Sequence, residues 1–283
     1  MKRNAPLGIS TYVWPERVSP RALAALAEAG FSCVELLGQP GLCELDDLKL
    51  VKRVGRAAGR LGLFIESIHS RLTPGDLSSP DARERALQIG YVREAIAAAA
   101  ELSAPVIVVH PSLRFRAPAD RAERLRVLAD TITELAAQAE GEGISLALEN
   151  MLPDHLFDDL REQARFLRRL GLPNVGACFD SGHAHVCGNV GDAWRIAPFI
   201  ICTHLHDNCG SSDDHLSLFE GSSDWQAVAR ALARAERARV LMLEAAPDPK
   251  GGLAATRRAA ARLRAMVGRA RQVASAAPGK SGR

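Results

Sequence analysis

Histidines and carboxylates recur along this chain at the ends of short apolar runs. They stand at Ile68-His69, Val108-Val109-His110, Ala147-Leu148-Glu149-Asn150, Asp180 followed by Ser181-Gly182-His183, His204-Leu205-His206-Asp207, and Leu243-Glu244. One such residue is ordinarily a solvated or hydrogen-bonded loop residue. A succession of them, brought to one rim, would cost several kcal/mol per buried ion unless a cation neutralised the cluster. Mixed imidazole and carboxylate donors suit Zn²⁺, Mn²⁺, Co²⁺ or Fe²⁺, whereas an all-oxygen cage favours Mg²⁺ or Ca²⁺. A structural zinc site closes with four Cys or His ligands, so this donor set points to an open, catalytic metal site.

Positioning these residues requires elements that end together. Short apolar, β-branched runs alternate with Ala-, Leu-, Arg- and Glu-rich stretches of helical period, the pattern of a parallel sheet wrapped by helices. Strands are predicted near Leu7-Gly8-Ile9-Ser10, Cys33-Val34-Glu35-Leu36, Phe64 to His69, Val106 to His110, Ile144 to Glu149, Val175 to Asp180, Ile200 to His206 and Val240 to Glu244. Ala29-Gly30, Leu61-Gly62, Glu142-Gly143 and Leu170-Gly171 each close a helical stretch just before a strand. Eight strand and helix pairs in 283 residues predict an α/β fold, a single-domain (β/α)8 TIM barrel over residues 1–273. In that fold the C-terminal strand ends share one site.

Composition narrows the rest. Lys plus Arg number 36 against 33 Asp plus Glu, a formal charge of +3 that does not announce a nucleic-acid binder. No apolar run approaches the ~20 residues of a membrane span, and Met1 to Pro6 lack a signal peptide's apolar core. A cytoplasmic protein without membrane partners is therefore expected. The cysteines at 33, 43, 178, 187, 202 and 209 form no C-x-x-C pair and read as small buried or surface residues. Gly279-Lys280-Ser281 resembles the end of a phosphate-binding loop, but Ala274 stands where its glycine belongs. Residues 274–283 are expected to form a disordered tail.

With those residues placed, the chain resembles the xylose isomerase-like TIM-barrel superfamily, which includes sugar phosphate isomerases and epimerases and the endonuclease IV type of abasic-site nuclease (AP endonuclease family 2). The similarity covers about residues 6 to 265. Its motifs recur in order at His110, Glu149-Asn150, Asp180 with His183, His204 with Asp207, Asp213 with His215, and Glu244. For an isomerase or epimerase the resemblance implies Glu149, Asp180, His204 and Glu244 as ligands of one divalent metal, with His183 touching substrate. The nuclease reading adds His69 and His110, and has His183, Asp213 and His215 hold a further zinc ion. His206 and Arg71 are weaker candidates for substrate contact, and Arg114 and Arg116 could serve as clamps.

The isomerase reading takes a small sugar, sugar phosphate or keto acid. Its metal polarises the substrate carbonyl, and Glu149 and Glu244 act as acid and base on opposite faces of an enediolate. The alternatives are a zinc phosphodiesterase acting on abasic DNA, a metal-dependent dehydratase or lyase, and a ligand-binding barrel without turnover. The segment after His69, together with D-S-G-H and H-L-H-D-N, looks closer to the sugar branch. Few aromatic wedges are available for opening a duplex, with two Tyr and three Trp. The stretch Leu218-Phe219-Glu220-Gly221-Ser222 departs from the family's glycine-rich loop, and Lys250-Gly251-Gly252 could seat a phosphate at a helix start. A homodimer or homotetramer is expected by resemblance alone.

Overall fold

Strands buried on both faces read as continuous apolar runs rather than alternating ones, and here they become eight parallel strands. The structure, a computed structural model, describes residues 5–14, 17–115 and 120–276. The strands are β1 (Leu7–Ser10), β2 (Cys33–Leu37), β3 (Phe64–His69), β4 (Val106–Val109), β5 (Ser145–Glu149), β6 (Val175–Asp180), β7 (Ile200–His204) and β8 (Leu241–Leu243). Their order is β7-β6-β5-β4-β3-β2-β1-β8. The ring closes outside the regular ladder, where Leu205 N–H donates to Met242 O (3.0 Å) and Glu244 N–H to Leu205 O (3.2 Å). This is the expected (β/α)8 barrel.

Each strand is followed by a helix: α1 (Pro20–Glu28), α2 (Leu48–Arg60), α3 (Ala82–Leu102), α4 (Arg121–Gly141), α5 (Leu160–Leu170), α6 (Ser181–Val186), α7 (Trp225–Arg234) and α8 (Gly252–Ala276). Short oxygen-bearing side chains start several of them, as Asp47 does by accepting from the Lys49 and Leu50 N–H groups. Gly171 ends α5 in the left-handed region at φ 65°, where a side chain would be strained. The principal core lies between strands and helices. A smaller cluster made only of strand residues, Val106, Val108, Ala147, Cys178, Ile201 and Cys202, fills the barrel's interior.

Strands 4, 7 and 8 end sooner than their apolar runs suggest, at Val109, His204 and Leu243. The polar residues that follow leave the ladder and turn toward the rim. Helix α8 continues to Ala276, past the expected start of the tail, while residues 277–283 and Arg116 lie outside the described residues. The Asp248 carboxylate already accepts from Lys250 and Gly251 N–H (2.9 and 2.6 Å), so the proposed phosphate seat before α8 is a capped turn. Among the described residues no helix is long and apolar enough to cross a membrane.

Candidate active site

Glu149 ends β5 and is 1% exposed. One carboxylate oxygen, Oε2, lies 3.2 Å from His69 Nε2 and 3.3 Å from His110 Nε2. The other, Oε1, lies 3.0 Å from His204 Nδ1 and 3.6 Å from His183 Nδ1. His204 Nδ1 also faces Glu244 Oε2 at 3.4 Å and Asp180 Oδ2 at 4.0 Å. Donor atoms of Glu149, Asp180, His204 and Glu244 all fall within 4.8 Å of one another, and all four residues are buried. Two neighbouring groups adjoin them. His69 and His110 share Glu149 on one side, and Asp213 Oδ2 lies between His183 Nε2 (3.3 Å) and His215 Nε2 (3.1 Å) on the other.

Local sequence explains this convergence. Asn150, next to Glu149, donates through Nδ2 to Asp180 O and accepts from Asp180 N–H (2.9 and 2.8 Å), locking the ends of β5 and β6 together. Asp180 Oδ1 caps α6 by accepting from His183 N–H at 2.7 Å, which turns the His183 ring back toward Glu149. His206 is fully buried, with Nε2 3.1 Å from both Asp180 oxygens. Its ring occupies the space a Cβ on residue 182 would need, so glycine at that position admits the imidazole.

Burial alone raises the Glu149 carboxyl. The His204 charge and hydrogen bonds from His110, His204 and His69 reverse this and hold it well below the usual value. Glu244 goes the other way: burial raises it, His204 opposes, and the Glu149 charge adds to the rise. Buried carboxylates crowded this closely favour a bound cation. Asp213 Oδ1, buried and without a hydrogen-bond partner, is a further free donor facing the cluster. On these donors the residues fit a divalent metal.

Burial lowers the His183, His204 and His215 pKa values, but the carboxylates around them win and the net shift is upward, for His215 to about 9. A histidine with a raised folded pKa adds stability that is complete below its unfolded value of about 6.5 and is lost as pH rises through the folded value. Metal-free protein should therefore lose up to about 3 kcal/mol through His215 alone between pH ~6.5 and ~9. Thermal unfolding in chelator across that range checks this; a melting temperature that climbed instead would contradict it.

Asp207 is an anchor rather than a donor to the cluster. Fully buried, it accepts from Phe219, Gly221 and Ser223 N–H, from Ser223 Oγ at 2.6 Å and from Trp225 Nε1 at 2.9 Å. These bonds fasten the loop that carries Asp213 and His215. Asp207→Ala should cost about 3 kcal/mol or more through orphaned donors, and lower the melting temperature by about 5 °C. An unchanged melting temperature would refute the anchor.

Two rim residues escaped the sequence reading. Glu35, on β2 and 0% exposed, meets His204 Nε2; its only sequence signal is a charge within an apolar strand run. Tyr12 follows β1 and is 40% exposed, with its ring centroid 4.5 Å from that of His215. Arg71 and Arg114 make their contacts elsewhere. The Arg71 guanidinium lies over Tyr91 at 4.4 Å, and Arg114 pairs with Asp154 at 2.7 Å.

Comparison with known proteins agrees with the architecture. An uncharacterized protein of Sinorhizobium fredii is 25% identical over 244 residues, covering 78% of each chain. The crystal structure of a D-tagatose 3-epimerase-like protein superposes with a TM-score of 0.80 at 25% identity, covering 93% of this chain and 98% of that one. An L-ribulose 3-epimerase structure gives 0.77 at 21% identity, covering 99% and 100%. The family model described as xylose isomerase-like TIM barrel matches residues 23–266. This chain belongs to the xylose isomerase-like TIM barrel family.

Proposed function

We propose that the chain is a divalent-metal-dependent epimerase or isomerase of a small sugar or sugar-like ketone. The observation that carries this is the buried quartet Glu149, Asp180, His204 and Glu244, with donor atoms mutually within 4.8 Å at the C-terminal rim. The neighbours described as a D-tagatose 3-epimerase-like protein and an L-ribulose 3-epimerase support the substrate class. A cation held by the quartet would polarise a substrate carbonyl and acidify the adjacent C–H. Mn²⁺, Zn²⁺, Co²⁺ and Fe²⁺ all suit two-type donors of this kind.

Glu149 and Glu244 then move the proton. The two stand three strands apart in the closed ring, on β5 and just after β8, and can address opposite faces of a planar intermediate. Their environments push their pKa values in opposite directions, downward for Glu149 and upward for Glu244. Carboxylate pairs that divide acid and base work diverge in this way, which supports the reading. His183, held by Asp213 and beside Glu149, is placed to orient a substrate hydroxyl, while Tyr12 shields the rim from water.

Incubation with a panel of ketopentoses and ketohexoses in deuterated water, with each candidate metal, tests the proposal. Deuterium should enter at the carbon beside the carbonyl with inversion there. No exchange with any ketose and metal would sink it. One observation favours a second reading: all nine positions of the nuclease pattern, His69, His110, Glu149, Asp180, His183, His204, Asp213, His215 and Glu244, meet at one rim. Cleavage of an abasic-site duplex in place of ketose exchange would establish that reading.

A further inference from the structure

His204 has two nitrogens with separate surroundings. Nδ1 faces Glu149, Glu244 and Asp180, the side on which the quartet's donors converge. Nε2 faces away from them, 3.0 Å from Glu35 Oε1 and 3.1 Å from Glu35 Oε2. Glu35 is held from behind, because Ser67 Oγ on the next strand donates to Oε2 at 2.7 Å. Register makes the arrangement possible. The β2–β3 register shifts between Val34 and Glu35, skipping Glu66 and pairing Glu35 with Ser67. All three side chains are fully buried, so no water competes for the Nε2 proton.

An imidazole can offer a lone pair on Nδ1 only if its proton sits on Nε2. A carboxylate on Nε2 enforces that tautomer and makes the ring a stronger donor. We infer that Glu35 is a positioning residue that fixes His204 as an Nδ1 metal ligand and sets the affinity of the quartet for its cation. The chain of contact runs from Ser67 to Glu35 to His204, from strands β3 and β2 to strand β7. It joins β2, a strand absent from the sequence-derived site, to the catalytic rim. The inference rests on the metal-dependent reading above and concerns a residue that touches neither cation nor substrate.

The test is metal affinity rather than turnover. Purified, chelator-stripped chain would be titrated with Mn²⁺ and with Zn²⁺ against a chromogenic chelator, comparing wild type, Glu35→Gln, His204→Gln and the double variant. Glutamine keeps the shape and can still accept from Nε2, but it removes the charge. Affinity should fall about 10- to 100-fold in Glu35→Gln, while the same change in the His204→Gln background should cost almost nothing. Equal losses in both backgrounds would overturn the relay, since Glu35 would then act on the cation through space. Unchanged affinity in Glu35→Gln would overturn it too. Histidine ¹⁵N spectra give a reading independent of metal: stripped wild type should show His204 protonated at Nε2, and an Nε2 without its proton would refute the proposal. Wild type that binds neither metal would defeat the metal reading itself, an outcome distinct from a wild type that binds and a Glu35→Gln that binds equally.

Discussion

Glu149→Gln should lose epimerisation by about 10³-fold or more, because glutamine can neither take nor return a proton. Glu244→Gln should lose it by a similar factor, yet the two variants should fail differently. In deuterated water each should exchange the C–H of only one epimer, the one whose hydrogen faces the remaining glutamate, and return it without inversion. That pattern requires two carboxylates on opposite faces of one intermediate. Glu149 accepts from three imidazoles and sits well below its usual pKa, whereas Glu244 is raised. Metal content measured beside exchange separates loss of the proton carrier from loss of the ion, since both residues belong to the quartet. Wild type and both variants that bind ligand yet show no exchange would leave a barrel that binds without turnover.

The rim was legible in the sequence where an apolar strand ends on a polar residue, as at His69, Glu149, Asp180, His204 and Glu244. Strand-end position alone tells which residues share a face, because every β/α barrel strand delivers its C-terminal residue to the same end. Glu35 was not legible. It lies inside its strand rather than at the end, and its partner Ser67 faces it only because the β2–β3 register skips Glu66, which no local pattern announces. His206 was hidden for a related reason. Its neighbour His204 continues the regular ladder of β7, while residues 205 and 206 belong to the irregular closure against β8. Whether its ring met substrate or Asp180 depended on the room left by Gly182, a contact between residues 24 positions apart in the chain. The role of Asp207 depended likewise on a loop whose sequence departs from the family's glycine-rich form. There, five donors from residues 219 to 225 converge on one carboxylate.

Removing divalent metal should lower the melting temperature by about 7 °C, since an ion present at about 1,000 times its dissociation constant stabilises the folded chain by about 4 kcal/mol. The protons exchanged with that ion should also report how many ions bind. Without metal, His69, His183, His204 and His215 all have pKa values raised by neighbouring carboxylates, so protons on these imidazoles compete with cations for the same donors. A single ion in the quartet competes directly with the proton on His204. Three ions on the nuclease pattern would require His69, His183 and His215 to give up theirs as well. Calorimetric titration in buffers of differing ionisation enthalpy should therefore show more protons released per chain for the trinuclear reading than for the epimerase reading. Apparent affinity should rise with pH in either case, opposite to the stability of the stripped protein, because the same histidine protons support the empty site and compete with the metal. One ion per chain would leave His69, His110, His183 and His215 free to hold substrate hydroxyls; three ions would commit them to metal and move the chain to phosphodiester chemistry.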